Sequence, residues 1–169
     1  RAKMMRYGIR LLAVGDRERL PPSVRCALEN VITLTRDNQR MTVVLALSYS
    51  GRDEILRMVK KLAEEVRERH RDPQQIDQQI IADHLDTAGI PDPDLLIRTS
   101  GEMRVSNFFL WQIAYSELYV TPTLWPEFRE KEYLQALLEY QRRRRRFGRT
   151  DEQIAELADA AVEAGERQS

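Results

Sequence analysis

The chain has 169 residues, 42% of them hydrophobic, and its formal net charge is zero. This length and composition are typical of a globular domain and exclude an intrinsically disordered chain. Because the charges balance, the chain has no overall electrostatic attraction for nucleic acid or acidic lipid. No apolar run approaches the roughly 20 residues that span a bilayer. The single cysteine, Cys26, cannot form an internal disulfide. We therefore expect a reducing compartment, with Cys26 as a small core residue.

Strands and helices alternate in the predicted secondary structure. Short, nearly uninterrupted apolar runs are typical of strands covered on both faces, and they predict strands at residues 9–14, 41–47, 95–97 and 118–120. Segments with apolar residues about every 3.6 positions, and one segment that is apolar all round, predict helices. These lie at about 21–37, 53–69, 72–89, 106–116, 130–146 and 152–164. The order predicts an α/β fold with a mostly parallel sheet flanked by helices.

The loop after the third predicted strand is the best candidate for a ligand site, because ligands bind at the carboxyl ends of parallel strands. It contains Arg98 and Arg104, and Ser106 is the predicted N-cap of the apolar helix that follows. Guanidinium groups bind phosphate oxygens in pairs, and a helix N-terminus adds free amides. The loop therefore predicts a site for a pyrophosphate-sized anion. The alternative is that the two arginines pair with carboxylates such as Glu102 and Asp94.

Glu117 follows the apolar helix, and a carboxylate beside so much apolar surface is costly unless it is paired or bound to a metal. Two interpretations stay open: an oxygen ligand for Mg²⁺ near a phosphate site, or a salt bridge to an arginine. His70 and His84 have no companions at metal-ligand spacing, so we expect both on the solvated surface.

Five consecutive arginines occupy positions 142–146. Such a run could contact RNA or acidic lipid, or be neutralised by the acidic segment that follows, within the chain or across a dimer. No aromatic residues are interleaved with the arginines, so we do not expect a nucleic-acid partner.

The segment from Pro93 to Tyr119 resembles the signature of the cis-prenyltransferases, the undecaprenyl diphosphate synthase family. Weaker similarity lies upstream, at Val14-Gly-Asp16 and Tyr49-Ser-Gly-Arg52, and downstream, at Arg145-Arg-Phe-Gly148. The signature segment contains the runs Arg98-Thr-Ser-Gly-Glu, Arg104-Val-Ser-Asn-Phe and Ser-Glu117-Leu-Tyr, and the similarity continues through Leu124-Trp-Pro-Glu-Phe.

The resemblance implies that residues 1–148 are the C-terminal part of a single cis-prenyltransferase domain whose first strands are missing here, and that residues 149–169 form an acidic helical tail. It implies a transferase that joins isopentenyl diphosphate to an allylic diphosphate such as farnesyl diphosphate. The product would be a cis-polyprenyl diphosphate such as undecaprenyl diphosphate, a lipid-carrier precursor for cell-wall synthesis. We then expect a cytoplasmic protein with peripheral contact at the inner face of the membrane.

The resemblance also assigns roles to particular residues. It implies that Arg98, Arg104 and Ser106 bind the diphosphate of isopentenyl diphosphate, and that Glu117 binds Mg²⁺. It further implies a homodimer interface along the predicted helix Phe108–Tyr115.

Three departures from the family pattern qualify this assignment. The family's N-terminal motif, an aspartate followed closely by His-Gly-Asn-Gly-Arg-Trp, does not occur in the chain. It supplies the essential aspartate, so we expect no catalytic residue in this segment, and inactivity of the segment alone. Met103 stands where relatives often carry a Gln or a metal-binding His, and Ser48 and Ser50 replace the usual Asn and Gly. Since the first residue is Arg1, we expect a longer protein; the alternative is a non-catalytic partner subunit of a heteromeric cis-prenyltransferase.

Overall fold

The structure is a computed structural model, and it describes residues 1–143. Within them, the helices are α1 (Ala2–Tyr7), α2 (Pro22–Thr35), α3 (Gly51–Arg67), α4 (Gln78–His84) and α5 (Glu130–Arg142), and the strands are β1 (Ile9–Val14), β2 (Met41–Ala46), β3 (Leu95–Arg98) and β4 (Glu117–Val120). The strands form two parallel pairs, β1 with β2 and β3 with β4. The α/β class and the four predicted strands are confirmed.

The chain divides into two compact units. The first comprises residues 1–92 and 105–112, and the second comprises, among the described residues, 93–104 and 113–143. The predicted acidic tail, 149–169, and the predicted helix at 152–164 lie outside the described residues, as does most of the arginine run. None of the helices within residues 1–143 is long and apolar enough to cross a membrane.

The first unit is built on β1, β2 and the helices that cover them. Met58 and Leu62 on α3 pack with Leu85, which follows α4. Partly buried side chains close around these three: Ile55, Ile76, Ile80, Ile81 and Trp111. On α2, the buried Thr35 hydroxyl accepts a hydrogen bond from the β1 amide of Leu11 and donates to the carbonyl of Val31. This hydroxyl links α2 to the first strand.

The predicted helix at 72–89 is shorter than expected. A single 3-10 turn, Pro73–Gln75, is followed by extended backbone at Ile76 and Asp77, and α4 begins only at Gln78. The break has a local cause, because the Asp77 carboxylate accepts a hydrogen bond from the amide of Ile80 at 2.8 Å and so caps a new helix. The predicted helix at 21–37 is confirmed as α2.

The prediction of an apolar helix at 106–116 is wrong. Ser106, Asn107 and Phe109 have φ angles of 49°, 62° and 45°, and left-handed residues cannot continue a right-handed helix. The segment is a series of turns instead. Consequently Ser106 is not a helix N-cap, no helix dipole points into the loop before it, and the Phe108–Tyr115 segment expected at a dimer interface is not helical.

Two side chains differ from their predicted exposure. Cys26 lies exposed on α2 and is not a core residue. His84 is only 14% exposed, and its Nε2 lies 2.7 Å from a carboxylate oxygen of Glu65. Its prediction as a solvated surface residue is therefore wrong, whereas His70, at 71% exposed, is on the surface as expected.

The second unit combines the β3–β4 pair with α5. Leu95 lies opposite Glu117 and Arg98 lies opposite Val120 in the parallel register. On α5, Ala136 is completely buried, and the first turn is closed by the Glu132 carboxylate, which accepts from the amide of Arg129 at 3.0 Å.

Candidate functional site

Arg98 is the last residue of β3, and the loop after it is held against the chain that follows β4. The amide of Thr121 donates to the carbonyl of Arg98, the amide of Ser100 donates to Thr123, and the amide of Gly101 donates to Thr121, each at 2.9 Å. Ser100 and Gly101 have φ angles of 66° and 67°, so the chain reverses immediately after the strand. These bonds fix the backbone beside Arg98 at the carboxyl end of the β3–β4 pair.

Arg104 lies on the surface of the same unit and pairs with Glu102. Its Nη2 lies 2.6 Å from Glu102 Oε2, with the two side chains 70% and 35% exposed. The carboxylate pairing that the sequence left open is therefore present for this arginine. A pair this exposed contributes about 0–1 kcal/mol, so a doubly charged anion can displace the carboxylate at low cost.

Glu117 begins β4, and its carboxylate accepts a hydrogen bond from Arg143. The Arg143 Nη1 lies 2.9 Å from Glu117 Oε2 and 2.7 Å from the carbonyl of Leu118. Of the two interpretations that the sequence left open, the salt bridge is the one present. Among residues 1–143, no three His, Cys, Asp or Glu side chains converge as a metal site. Mg²⁺ is nevertheless commonly held by one or two carboxylates plus phosphate oxygens and water, so Glu117 fits as one ligand of a substrate-bound ion.

Ser106 belongs to the first unit, where it is exposed, and Asn107 beside it is clamped to the start of α3. The carbonyl of Asn107 accepts from the amide of Gly51 at 2.8 Å. Its side-chain Oδ1 accepts from the amide of Arg52 at 2.9 Å, and its Nδ2 donates to the Ser50 hydroxyl at 2.8 Å. The sequence analysis missed this contact, because the segment was expected to be helical.

The first amides of α3 are thus already occupied. Besides the two that bond to Asn107, the amide of Asp53 donates to the Ser50 hydroxyl and the amide of Glu54 donates to the Ser50 carbonyl. The loop after β2 also lies at the carboxyl end of a parallel strand, a place where ligands often bind. With these amides engaged inside the protein, the start of α3 is structural.

A buried carboxylate lies one turn further along α3. Glu54 is 1% exposed and accepts from the Tyr49 hydroxyl at 2.5 Å, the backbone amide of Asp86 at 2.9 Å and Gln112 Nε2 at 3.1 Å. Burial, and then the hydrogen bond to Glu54, raises the pKa of Tyr49 well above its ordinary value. The sequence analysis missed Glu54, although its spacing from Met58, four residues on, places it on the buried face of α3.

Asp86 connects this network to the end of β1. Its Oδ2 accepts from the amide of Gly15 at 3.1 Å and from Arg57 Nη2 at 2.6 Å. Gly15 has a φ of 99°, and a Cβ there would lie 2.2 Å from the carbonyl oxygen of Leu47. Only glycine allows the ends of β1 and β2 to approach this closely.

Three aromatic rings pack beside the Asn107 clamp. The ring of Tyr49 lies 5.9 Å from Phe108 and 4.7 Å from Phe109, centroid to centroid, and the two phenylalanine rings are 4.3 Å apart. The loop after β2 and the turns at 105–112 are therefore joined by both polar and apolar contacts.

Known proteins resemble nearly the whole chain. The sequence profile of a family described as "Putative undecaprenyl diphosphate synthase" matches residues 1–148. The chain belongs to this family. The match confirms the resemblance to the cis-prenyltransferases that the segment from Pro93 to Tyr119 indicated.

Curated relatives in the family are named isoprenyl transferases. The protein of Porphyromonas gingivalis is 53% identical over 152 residues, which cover 90% of this chain and 60% of the relative. That of Chlorobaculum tepidum is 49% identical over 152 residues, covering 90% of this chain and 57% of the relative. The chain therefore spans about three fifths of the length of these relatives.

Solved structures of family members share the fold. Lavandulyl diphosphate synthase from Lavandula x intermedia, in complex with dimethylallyl diphosphate, matches with a TM-score of 0.81 at 42% identity, over 83% of this chain and 60% of that one. A probable undecaprenyl diphosphate synthase from Campylobacter jejuni matches with a TM-score of 0.75 at 33% identity, over 88% and 67% of the two chains.

Proposed function

We propose that the full-length gene product is an isoprenyl transferase that condenses isopentenyl diphosphate with an allylic diphosphate such as farnesyl diphosphate. The product would be a cis-polyprenyl diphosphate such as undecaprenyl diphosphate, a lipid-carrier precursor for cell-wall synthesis. The observation that carries the proposal is the family match over residues 1–148, which includes the whole arginine-containing signature loop. The names of the relatives, isoprenyl transferases, support the same reaction.

In this proposal, Arg98, Arg104 and Ser106 bind the diphosphate of isopentenyl diphosphate. Arg98 is half-buried at the end of β3 beside a hydrogen-bonded loop, which suits a fixed guanidinium group. Arg104 is exposed and pairs with Glu102 on the surface, so it can turn to an incoming phosphate. Each guanidinium offers two parallel N–H donors to phosphate oxygens, a geometry that a lysine cannot reproduce. The Ser106 hydroxyl adds a neutral donor.

The reaction breaks the bond between the allylic carbon and its diphosphate, forms a carbon–carbon bond to the alkene of isopentenyl diphosphate, and releases a proton to leave the new double bond. Arg98 and Arg104 would hold the second substrate so that its alkene is oriented for attack. Mg²⁺, when bound with Glu117 as one ligand, would neutralise charge on diphosphate oxygens. In the structure, Glu117 Oε2 accepts a hydrogen bond from Arg143, so metal binding and this ion pair would share one carboxylate.

The proposal is tested by assaying the full-length protein with farnesyl diphosphate and labelled isopentenyl diphosphate. We expect Arg98→Ala to raise the KM for isopentenyl diphosphate about tenfold or more, because a charge-assisted hydrogen bond to phosphate is lost. The matched control is Arg36→Ala, since Arg36 is a surface arginine that pairs with its exposed neighbour Asp37. Unchanged KM and turnover in the Arg98 variant would refute the assignment.

The alternative function is a non-catalytic partner subunit of a heteromeric cis-prenyltransferase. It predicts no product from the full-length protein alone and product after a catalytic subunit is added. Product formation by the purified protein alone would exclude it.

We also propose a homodimer, and peripheral contact of the full-length, cytoplasmic protein with the inner membrane face. The turns at 108–115 that replace the predicted helix present Tyr115, which is 72% exposed, and nearby Leu118 is 50% exposed. Large exposed hydrophobic side chains can mark a protein or membrane interface. Light scattering of the full-length protein should give twice the subunit mass, and a monomeric mass at micromolar concentration would contradict the dimer.

A further inference from the structure

One surface of the first unit carries far more basic than acidic residues, although the charges of the whole chain balance. It is formed by residues 1–10, which comprise α1 and the start of β1, and by residues 34–41, which lead from the end of α2 to β2. We call these two segments the basic surface. They contain one acidic residue, Asp37, and six basic residues that are all exposed: Arg1, Lys3, Arg6, Arg10, Arg36 and Arg40.

Hydrogen bonds at the amino end of the β1–β2 pair hold the two segments together. The side-chain nitrogen of Asn38 donates to the carbonyl of Ile9 at 2.8 Å and to the carbonyl of Met4, in α1, at 3.4 Å. The amide of Arg40 donates to the carbonyl of Gly8 at 3.0 Å. The basic residues of the two segments therefore belong to one surface, although about thirty positions separate the segments along the chain.

Most of these basic side chains are not neutralised by neighbouring carboxylates. Arg36 pairs with Asp37 at 3.3 Å, and this pair leaves the other five positive charges in excess. Within residues 1–143, Lys3, Arg10 and Arg40 form no ion pair. Their charges are therefore available to a negatively charged partner.

The same two segments also expose apolar side chains. Met5, Tyr7, Leu34 and Met41 are between 44% and 57% exposed. The guanidinium of Arg6 lies over the Tyr7 ring, 5.6 Å from its centroid, so that charge and ring occupy one place on the surface. Basic residues together with exposed apolar ones are typical of surfaces that lie at a membrane interface, because the charges attract acidic headgroups and the apolar side chains enter the acyl boundary.

We propose that the basic surface binds the anionic headgroups of a lipid bilayer, with its four exposed apolar side chains at the boundary between headgroups and acyl chains. Binding to single-stranded nucleic acid would require aromatic rings for base stacking, and Tyr7 is the only aromatic residue of the two segments. The inference rests on the proposed function, because a polyprenyl diphosphate has a long apolar chain that must pass from the enzyme into a membrane. It names the surface and the class of lipid for that contact.

The test is co-sedimentation of the full-length protein, without substrates, with equimolar phosphatidylglycerol–phosphatidylcholine vesicles and with pure phosphatidylcholine vesicles. Lys3→Gln combined with Arg40→Gln removes one positive charge from each segment. We expect this variant to bind the anionic vesicles about thirtyfold more weakly than the unmodified protein, which is about fivefold for each charge. Added KCl should also weaken binding of the unmodified protein, because it screens the attraction.

Arg17→Gln combined with Arg19→Gln is the matched control. Both residues are exposed in the 3-10 turn after β1, at the carboxyl end of the strand, whereas Arg40 lies at the amino end of the β1–β2 pair. The control removes the same charge from the same unit. It should change vesicle binding by less than about twofold, because the attraction of a charge to the membrane falls off within about 10 Å.

Circular dichroism shows whether the Lys3 and Arg40 variant folds. If it does not, Arg1→Gln combined with Arg6→Gln takes its place and should weaken vesicle binding in the same direction. Four results would overturn the inference: no binding of the unmodified protein to anionic vesicles, equal binding to pure phosphatidylcholine, no loss in the surface variant, or an equal loss in the control. Binding of single-stranded RNA that the surface variant loses, without vesicle binding, would assign the surface to nucleic acid instead.

Failure of the proposed function would look different, because vesicle binding is measured without substrates. A protein that binds anionic vesicles through the basic surface but forms no product from farnesyl and isopentenyl diphosphates would refute the proposed function alone. Product formation without vesicle binding would remove this inference and leave the proposed reaction in place.

Discussion

The buried carboxylate of Glu54 joins three separate segments of the first unit. It is the largest side chain that residues 1–143 bury almost completely, yet it faces donors rather than a cation: the Tyr49 hydroxyl, the Gln112 side chain and the amide of Asp86. A buried carboxylate is tolerated only when such donors replace its water. Glu54 therefore connects the loop after β2, the end of α4 and the turns at 105–112.

We predict that Glu54→Gln lowers the free energy of unfolding by about 2 kcal/mol, because the new amide donor must face existing donors in a buried position. Urea unfolding monitored by circular dichroism measures this change. Glu64→Gln is the control, since Glu64 lies on the same helix, is 50% exposed and pairs with Arg67 on the surface. It should change stability by no more than about 0.5 kcal/mol. Equal effects of the two substitutions would show that the network contributes nothing.

A second carboxylate, Glu65, accepts hydrogen bonds near the C-terminal end of α3. Glu65 accepts from Arg71 Nε at 2.6 Å and lies 2.7 Å from His84 Nε2, while His84 Nδ1 lies 2.7 Å from the carbonyl oxygen of Ile80. His84 ends α4, where a positive charge is favourable. The hydrogen bonds from His84 and then Arg71 hold the pKa of Glu65 below its ordinary value of 4.5. The cluster joins the C-terminal part of α3 to α4.

A carboxyl group whose pKa is lower in the folded than in the unfolded protein stabilises the fold at pH values above its unfolded pKa. This contribution to the free energy of unfolding is lost as the pH falls through the pKa of the folded state. We therefore predict that Glu65→Gln is less stable than the unmodified protein at pH 7, and that the difference shrinks as the pH falls below 4.5. Urea unfolding between pH 7 and the acid limit of folding measures it. Glu64→Gln again serves as the control, and a difference that does not change with pH would contradict the assignment.

The two units of the chain differ in the size of their cores. In residues 1–143 the second unit buries only one hydrophobic side chain fully, Ala136, and the first unit buries six: Leu11, Val14, Leu28, Met58, Leu62 and Leu85. Each unit also has a sheet of only two strands, which is marginal without packing against helices. The first unit therefore has the larger hydrophobic stabilisation.

We predict that the amides of β1, β2 and α3 exchange hydrogen more slowly than those of β3, β4 and α5. Hydrogen exchange with mass spectrometry on this chain measures the difference. If the hydrophobic cores differ by even two buried methylene groups, the exchange rates of the two units should differ by more than about tenfold. Equal protection of the two units would mean that the smaller core is compensated by contacts outside residues 1–143.

The sequence predicted the strands well because their signal is local. Uninterrupted apolar runs identified β1, β2 and β3, and the 3.6-residue period identified α2 and α3. The turns at 106–116 were missed because their composition, nearly all apolar, is the same for a buried helix and for turns packed on a core. The left-handed angles of Ser106 and Asn107 depend on contacts with Gly51 and its neighbours, more than fifty residues earlier in the chain.

By itself the sequence determined the family, the α/β class and the loop that carries Arg98 and Arg104, because a long signature and short apolar runs are properties of neighbouring residues. Only the tertiary structure decided that Glu117 pairs with Arg143, that His84 is half-buried beside Glu65, and that Glu54 is a buried acceptor. Each of these depends on a partner distant in sequence. The charge of a side chain is local information, but its partner is fixed only when the chain folds.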